Sequence, residues 1–584
     1  MADIVDRLKR KKLVQWSLAY AAVAWLAIQV LDTVADPWGV SAAVVRGIQF
    51  VLAVGLLAGV IVAWFHGEQG RQRVGSFEAM LLLGLAAVAV AGFSIVMRSG
   101  DDDGMPDGLK AVEPYFPLER DRPAVAILPL TNLSAQPEDA YLAEGIHEEL
   151  INRLTKLSSL IVIARTSVMR FADGQAGVRE IGKQLGTDYV LEGSARRSAS
   201  RVRVTAQLID TENEQPVWAE TYDLDFTVEN LFDIQIDIAH RIASALELEV
   251  TPTDRTRLEA RATQNLQAYE SYLLGRVAWA KRTPGNFEES ISHLRRATEL
   301  DPTFGLAYSA LAEAFVLQPF FSGAYDTDVA LARTEESAKR ALSLDPNLGQ
   351  AHTALALVRE FQFNWAGAEE QFLLAIDKTP EYATAHHWYA NMLSRRGRSA
   401  EGLAHIRKAY ELDPLSLIIN QDVGYNLQLS GQNEAALRQY ERTLQLNPEY
   451  TTTMFVYAWA LISGGRFDEA STVFERWAVL TGRNPAVLGS LADAARAHQE
   501  TGLQQEIPEG FDVEGGSLPY FAPHVYLSLG HPEQALDLLE QALDDGQFGI
   551  LMGLNSPFYD GVRQDPRFVA VAQRVGIGLN PEGM

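Results

Sequence analysis

Three long apolar runs dominate the hydropathy pattern, at about residues 13–31, 47–65 and 79–97. Each run has about 19 residues, enough for an α-helix to cross a hydrocarbon core of ~30 Å. Backbone N–H and C=O groups find no water in lipid, so runs of this kind are helical. The pattern predicts a membrane anchor over residues 1–98, with the lipid bilayer as its partner.

Basic residues between the runs predict the orientation of this anchor. Seven Lys and Arg residues lie before the first run or between the second and third, and two lie in the other flanking segments. The positive-inside rule therefore places the N-terminus in the cytoplasm. Three crossings put the rest of the chain outside, so we expect a multi-pass protein of the bacterial inner membrane with periplasmic soluble domains.

A change of pattern after residue 98 predicts a linker and a small domain. Residues 99–122 are rich in Asp, Gly and Pro, which is typical of a hydrated linker. Short, continuous apolar runs predict buried strands at 123–130 and 160–164. Alternation of apolar and polar residues predicts strands at 189–195, 202–210 and 217–222. Helical spacing covers 139–157, 178–185 and 228–248. The order β-α-β-α-β-β-β-α predicts an α+β domain over 123–250.

The C-terminal half repeats with a period of 34 residues. Pro380, Pro414 and Pro448 follow similar phrases, AIDKTPEYA, AYELDPLSL and TLQLNPEYT, and earlier copies end near Pro302 and Pro346. This period is the signature of the tetratricopeptide repeat (TPR), a helix–turn–helix unit. We expect an all-α array of about six units over 265–485, followed by degenerate helix pairs and a cap over 486–584.

Small and aromatic residues recur at matching positions of these units. Small residues are expected where two helices cross closely, and aromatic residues between neighbouring pairs. In the unit 349–382 they include Leu355, Ala356, Ala368, Phe372, Ala375 and Pro380. An insertion near 317–328 indicates either a helix–helix loop able to contact a partner or two elongated helices.

Proteins of this architecture act by binding other proteins on an extended surface and not by catalysis. The inner faces of the first helices form a concave groove, which predicts a protein or peptide partner. By the repeat register, nine residues line this groove: Thr384, His387, Asn391, Ser394, Gln421, Tyr425, Gln428, Phe455 and Trp459. The alternative is that they are ordinary solvent-facing residues.

Charge and cysteine content narrow the classes of function. The chain has 584 residues and a formal charge of −25, which divides into +3 for residues 1–100 and −28 for the remainder. Direct nucleic-acid binding needs basic patches, so none is expected. The absence of cysteine excludes disulfides, thiolate nucleophiles and cysteine-bound metal clusters.

The small domain resembles a known bacterial family. The stretches YLAEGIHEELINRLTKLSSLIVIARTS and VREIGKQLGTDYVLEGSARRSASRVRVTAQLIDTENEQPVWAETYD are similar to the TolB-amino-terminal-like, or FlgO-like, domain over about residues 122–250. Bacteria attach that domain to membrane-bound adenylate cyclases and winged-helix regulators with TPR tails. The resemblance implies a non-catalytic domain of the cell envelope and brings no active site with it.

Several motifs resemble catalytic or metal sites but lack a required residue. Residues 177–183 match a phosphate loop up to Gln184, where a Ser or Thr is needed, and their apolar spacing favours a helix. His386 and His387 point about 100° apart on a helix, so they cannot easily chelate one ion. His147 lacks the second His of a zincin, since residue 151 is Ile. We therefore predict no enzyme, cofactor or metal.

Two functional hypotheses follow. The chain is either a membrane-anchored TPR scaffold that assembles envelope proteins, or a regulatory subunit that couples a periplasmic signal to a cyclase- or transcription-linked partner. Only about 12 residues precede the first apolar run, so no cyclase or winged-helix module is expected there. The scaffold is our main prediction and the regulatory subunit its alternative.

Overall fold

The computed structural model describes residues 115–118, 120–136, 139–280, 284–321, 327–511, 521–551 and 553–578. The chain divides into two compact units, Met1–Lys110 and Ala111–Met584. The three predicted membrane spans and most of the linker lie outside the described residues. Within the described ranges, no helix combines the length and the apolar character that crossing a bilayer requires.

A mixed sheet forms the centre of the small domain. Its strands are β1 (Ala124–Ile127), β2 (Thr131–Asn132), β3 (Ile161–Val162), β4 (Tyr189–Ser198), β5 (Arg201–Asp210) and β6 (Pro216–Asp225). The order is β3-β1-β4-β5-β6, and β2 also pairs with β4. The pairs of β1 with β3 and β4 are parallel, whereas β4–β5 and β5–β6 are antiparallel hairpins. Tight turns close both hairpins, with Ala199 and Glu214 at positive φ.

Helices pack on this sheet as the apolar spacing predicts. They are α1 (Ala140–Leu154), the short α2 (Arg165–Val168), α3 (Val178–Leu185) and α4 (Val228–Ala245). The Thr227 side chain caps α4 by accepting from Asn230 N–H. Leu150 of α1 and Ile238 of α4 are fully buried in the same hydrophobic cluster as Val204 and Leu208 of β5. The coarse prediction of an α+β domain is therefore confirmed.

The next helices form the TPR array. A capped connecting helix, α5 (Pro252–Glu259), leads into it. The array helices alternate as first and second helices of successive units: α6 (Leu266–Ala280), α7 (Pro284–Leu300), α8 (Gly305–Phe321), α9 (Thr327–Leu344), α10 (Gly349–Phe361), α11 (Trp365–Lys378), α12 (Ala383–Arg395), α13 (Ser399–Leu412), α14 (Leu417–Leu429), α15 (Asn433–Leu446), α16 (Thr451–Ser463) and α17 (Phe467–Leu480). The predicted all-α TPR array is confirmed.

The insertion near residues 317–328 elongates a helix pair. Helix α8 continues through Pro319 to Phe321, and α9 begins at Thr327. These helices have 17 and 18 residues, whereas the pair α10–α11 has 13 and 14. Of the two interpretations, elongation describes the observed helices.

Beyond the array the chain turns back onto it. Helix α18 (Pro485–Thr501) packs on α17 and ends at Gly502, which adopts a left-handed conformation. The residues we call the C-terminal segment, 521–578, then form α19 (Ala522–Ser528), α20 (Pro532–Asp544), α21 (Phe548–Leu551), a 3₁₀ turn (Pro557–Val562) and α22 (Pro566–Val575). This segment shares one hydrophobic core with α10, α11 and α12.

The α+β domain and the array also share a core. Val204 and Ile238 belong to the same buried cluster as Tyr269, Leu294 and Phe304 of the first TPR units. A second contact joins α2 to the loop after α13. There Ala164 N–H donates to Leu412 O over 2.9 Å, and Ser167 Oγ donates to Asp413 Oδ1 over 2.5 Å.

Candidate functional site

The predicted groove residues lie on the first helices of three successive units. Thr384, His387, Asn391 and Ser394 are on α12, while Gln421, Tyr425 and Gln428 are on α14, and Phe455 and Trp459 are on α16. Thr384 and Tyr425 are partly exposed. The other seven are buried, from fully buried Ser394 to Gln428 at 9% exposure. The residues share a surface of the array, but that surface is covered.

Hydrogen bonds between neighbouring first helices account for the burial of the polar members. His387 Nε2 and Asn391 Nδ2 both donate to Asp422 Oδ2, over 2.6 and 2.7 Å. Asn426 Nδ2 returns a bond of 2.8 Å to Asn391 Oδ1, and Ser394 Oγ donates to Asn426 Oδ1 over 2.6 Å. We call these five residues the polar ladder. Because each buried polar group has a partner, α12 and α14 are held in one register.

The ladder continues at both ends. Thr453 Oγ1 on α16 donates to Gln421 Oε1 over 3.0 Å. Towards the N-terminus, Arg395 Nη1 on α12 donates to Glu360 Oε1 on α10 over 2.5 Å, and both side chains are buried. Burial raises the pKa of Glu360, and the Arg395 ion pair opposes that rise. Removing one member of a buried pair leaves the other charge uncompensated, so this contact specifies how the units stack.

The C-terminal segment covers the apolar members. The Phe521 ring meets Phe455 edge-on with centroids 4.8 Å apart, and Phe558 meets Trp459 in the same way at 6.0 Å. Asn555 Nδ2 donates to Arg395 O over 2.7 Å. The chain therefore occupies part of its own concave surface.

These contacts correct the expectation of an open groove. The repeat register places the nine residues together. However, His387 and Asn391 donate hydrogen bonds to Asp422, and Ser394 donates one to Asn426, so these side chains do not face solvent. Their alternative description as solvent-facing residues is also wrong, since seven of the nine are buried. Binding of a partner at this surface stays a prediction and requires the C-terminal segment to move.

Sequence reasoning missed the residues that organise this surface. Asp422, Asn426, Glu360 and Arg395 were not among the predicted groove positions, although they contact them or their helices. Asn391 and Asn426 lie 35 residues apart, as do Glu360 and Arg395. Polar residues spaced about one repeat apart in otherwise buried first helices were the signal for these interhelical bonds.

The histidines on α12 have separate partners. His386 accepts at Nδ1 from His405 Nδ1–H over 3.0 Å and donates at Nε2 to Pro380 O over 3.0 Å, whereas His387 turns to Asp422. Burial lowers the pKa of His386 to about 4. Across the described part of the chain, no group of three or more His, Cys, Asp or Glu side chains is arranged to hold a metal.

The two remaining motifs are structural parts of the α+β domain. Residues 178–185 form α3, between Gly177 in an extended conformation and Gly186 in a left-handed one, and not an irregular phosphate loop. His147 is buried on α1 and donates at Nε2 to Ile127 O over 2.8 Å. Burial lowers the pKa of His147 to about 4, which keeps the imidazole neutral under the sheet.

The α+β domain and the array match different protein families. Residues 121–241 match the HilA/YgeH-like transcriptional regulator, second domain. This corrects the resemblance stated above, because the matching family is not the TolB-amino-terminal or FlgO-like domain. Residues 353–416 and 427–497 match tetratricopeptide repeat families, which confirms the TPR assignment.

One curated relative and several solved structures are similar to parts of the chain. A putative adenylate cyclase 3 of Rhizobium meliloti (strain 1021) is 36% identical over 191 residues, which are 33% of this chain and 32% of that protein. The chain thus spans about a third of the length of this relative.

The similar solved structures include TPR proteins and a pilus biogenesis factor. A thermophilic TPR protein of Thermus thermophilus is 17% identical, with a TM-score of 0.29, over 33% of this chain and 99% of that one. PilW, a widely conserved type IV pilus biogenesis factor, is 17% identical, with a TM-score of 0.29, over 44% and 98%. YrrB, described as a TPR protein with an unusual peptide-binding site, is 16% identical, with a TM-score of 0.26, over 34% and 97%.

Proposed function

We propose that this chain is a non-catalytic regulatory protein that binds a protein partner through its TPR array. The observation that carries the proposal is the union of a HilA/YgeH-like regulator domain with a TPR array through one continuous core. A conformational change in the α+β domain is transmitted to the array, and the reverse, because the side chains of both pack in the same buried cluster. This is the regulatory alternative to the scaffold, and it replaces the scaffold as our main hypothesis.

Ion pairs reinforce the mechanical coupling of the two parts. Arg276 on α6 donates to Glu148 on α1 over 2.7 Å and to Glu313 on α8 over 2.6 Å. All three side chains are at most 14% exposed. A displacement of α1 would leave one of these charges unpaired in a buried place, which is costly. The domain and the first units therefore move together.

The relative from Rhizobium meliloti supports a regulatory setting. That relative is named a putative adenylate cyclase, and the part that it shares with this chain is about a third of its length. We infer that the shared part supplies regulation and that any cyclase or transcription activity belongs to a partner of this chain. We propose no catalytic residue and no cofactor.

The membrane anchor and the periplasmic placement belong to the same proposal. Three apolar runs and the bias of basic residues support them. A reporter enzyme that is active only outside the cytoplasm, fused after Met584, should be active in bacteria. The same reporter fused after residue 70, between the second and third runs, should be inactive. The opposite pattern would contradict this orientation.

Site-specific photo-crosslinking in living cells tests the partner class. We would place a crosslinking amino acid at Leu373 on α11 and at Val479 on α17, whose side chains are 51% and 67% exposed. The control position is Trp459, which contacts Phe558 and should crosslink within the chain. A membrane-bound cyclase, kinase or transcription regulator crosslinked through its periplasmic part at the exposed positions would support the proposal. Subunits of an envelope assembly complex would contradict it and favour the scaffold.

A further inference from the structure

A cavity of about 550 Å³ lies between the α+β domain and the first TPR units. Its walls come from α1, from α5, from the start of α8 and from the two loops 344–350 and 378–381. This volume is typical of sites for small organic molecules, which occupy about 300–1,000 Å³.

Positive charge predominates in the cavity walls. Seven basic side chains line it: Arg122, Arg153, Lys156, Arg257, Arg261, Arg276 and Lys378. Four acidic side chains do so: Glu149, Glu313, Asp345 and Glu381. The whole chain has a formal charge of −25, so this cavity is a basic site on an acidic protein. A field of this kind attracts anions.

Three of these basic side chains have no carboxylate partner among the described residues. Arg122, Arg261, Arg276 and Lys378 all form ion pairs with Asp or Glu. Arg153, by contrast, donates to the main-chain oxygens of Leu258 and Ala260, and Lys156 Nζ donates to Arg257 O over 3.3 Å. Arg257 completes the unpaired set, which we call the cation triplet: Arg153, Lys156 and Arg257.

The members of the triplet repel one another. The pKa of Lys156 is lowered to about 8, chiefly by burial and also by the charges of Arg153 and Arg257, while Glu149 and Asp345 oppose this shift. Such an arrangement costs free energy in the absence of a neutralising group. An anion between these side chains would remove that repulsion.

Buried polar atoms of the same cavity also lack partners. Ser309 Oγ and the Nε atoms of Arg153 and Arg276 accept or donate no hydrogen bond to the described protein. Ser309 is 2% exposed and Arg153 is 3% exposed, so water or ligand atoms must satisfy their unpaired polar atoms. Ser309 lies on the wall of α8, across from α1.

We propose that this cavity binds a small oxyanion, an organic phosphate or carboxylate with at least two negative charges, on the cation triplet. Ser309 supplies a hydroxyl to the same ligand. Ala262, Leu306, Ala310 and Leu348 form an apolar part of the wall, which accommodates the body of an organic molecule. Because the ligand contacts both the α+β domain and the array, its binding stabilises their association.

Isothermal titration of the purified 584-residue chain with pyrophosphate and with citrate tests the site. We expect the double variant Lys156→Gln/Arg257→Gln to bind the preferred probe at least tenfold more weakly than the wild type. Arg241→Gln is the matched control, since Arg241 is 54% exposed on α4 and pairs with Asp237. The two probes distinguish phosphate from carboxylate preference. Arg153 is left unchanged because it also caps α5.

The pH dependence of citrate binding gives an independent readout. Citrate stays ionised between pH 7 and 9, whereas Lys156 loses its proton as the pH rises through about 8. The affinity of the wild type should therefore fall by up to about tenfold over this range. Lys156→Arg keeps the positive charge and should bind citrate with a flat profile.

Two results would overturn the proposal. One is that neither probe binds the wild type more tightly than the double variant, with all variants folded by circular dichroism. The other is that Lys156→Arg retains the wild-type pH profile, because Lys156 would then not contact the anion. Neither result bears on the partner class found by crosslinking, so the two proposals fail separately.

Discussion

Asp413 is the residue at which the α+β domain makes a buried polar contact with the loop after α13 of the array. Its carboxylate accepts from Ser167 Oγ over 2.5 Å, and the same hydroxyl accepts from Leu415 N–H over 2.8 Å. Burial raises the pKa of Asp413 to about 6, although the bonds from Ser167 and Thr166 lower it. The contact joins α2 to the loop after α13, and burial there favours the protonated form of Asp413.

Asp413→Asn is predicted to change how stability depends on pH. The folded state binds this proton more tightly than the unfolded state, whose pKa is about 3.8. The contribution of Asp413 to stability is therefore highest below pH 4 and is lost as the pH rises through 6. From pH 4 to 7 the variant should gain up to about 3 kcal/mol relative to the wild type. Urea unfolding at both pH values measures this.

The control for this experiment is Asp173→Asn, a change at an exposed loop residue. Its stability relative to the wild type should differ little between pH 4 and 7. If Asp413→Asn also shows a constant difference, Asp413 is not the buried carboxyl that the structure describes.

Ala375 illustrates how a single side chain determines the spacing of two helices. It is fully buried on α11, and its carbonyl oxygen lies 2.9 Å from the position that a Cβ atom on Gly349 would take. The first turn of α10 and the last turns of α11 therefore approach closely. A larger side chain at this crossing has no free volume to occupy.

Ala375→Phe is predicted to destabilise the array by about 1–3 kcal/mol through overpacking. Leu373→Phe is the matched control, because Leu373 is 51% exposed on the same helix and should tolerate the change. Thermal unfolding of the two variants measures the effect. Equal melting temperatures would contradict the repeat register.

At the scale of elements, α3 shows why a motif match was misleading. Gly182 resembles the second glycine of a phosphate loop, yet a Cβ atom there would lie 2.5 Å from Thr211 Cβ. Glycine is present because α3 packs closely against the turn after β5, which contains Thr211. Thr211 Oγ1 donates a hydrogen bond of 2.8 Å to Thr187 O, just after the end of α3. The helix ends where Gly186 takes a φ of +62°.

Gly182→Ala is predicted to destabilise the α+β domain by about 1–3 kcal/mol. Gly177→Ala should have little effect, since nothing lies within 4 Å of the position that a Cβ atom would take there and its φ is −73°. Chemical unfolding followed by tryptophan fluorescence compares the two. Thr211→Gly removes the Cβ atom that the new methyl group would meet and should partly rescue Gly182→Ala, and no rescue would contradict the close packing of these residues.

Gly424 makes the same point within the array. Its missing side chain leaves space for the Tyr440 ring, which lies 2.6 Å from the position of a Cβ atom. The small residue and the aromatic one belong to the first and second helices of one unit, α14 and α15. The pattern of small and aromatic positions thus has a direct steric meaning.

At the scale of the whole molecule, the C-terminal segment contacts the array near its end and in its middle. Near its end, Trp365 Nε1 donates to Val575 O over 2.6 Å. In its middle, the Phe548 ring stacks on Phe361 at 4.4 Å and meets Phe363 at 5.4 Å. A partner that binds the inner face of α16 must displace Phe521 and Phe558 from it.

Phe548→Ala is predicted to loosen this segment. Loss of a buried phenyl ring lowers the free energy of unfolding by about 3–5 kcal/mol. The packing that is lost lies between α21 and α10. Hydrogen exchange of residues 521–578 should become faster, while exchange in the α+β sheet stays unchanged. Val479→Ala, at a side chain that is 67% exposed, is the control. Unchanged exchange in the segment would contradict this docking.

Much of the fold was predictable because it depends on local patterns. Alternating apolar residues in β5 and the spacing of three and four in α1 and α4 reflect faces that each element must bury. The period of 34 residues likewise predicts the helix pairs, since each unit contacts mainly its neighbours. The family of the small domain was less predictable, and comparison replaced the resemblance stated from its motifs.

The sequence alone determined the element types, the repeat period and the absence of cysteine, because these follow from residue identity and short-range spacing. Only the tertiary structure decided that Asn391 bonds Asp422 and Asn426, and that residues 521–578 cover the predicted groove. It also decided that Arg153 and Lys156 meet Arg257 in a cavity. These contacts join residues about 30 to more than 100 positions apart, and packing, not local pattern, brings such residues together.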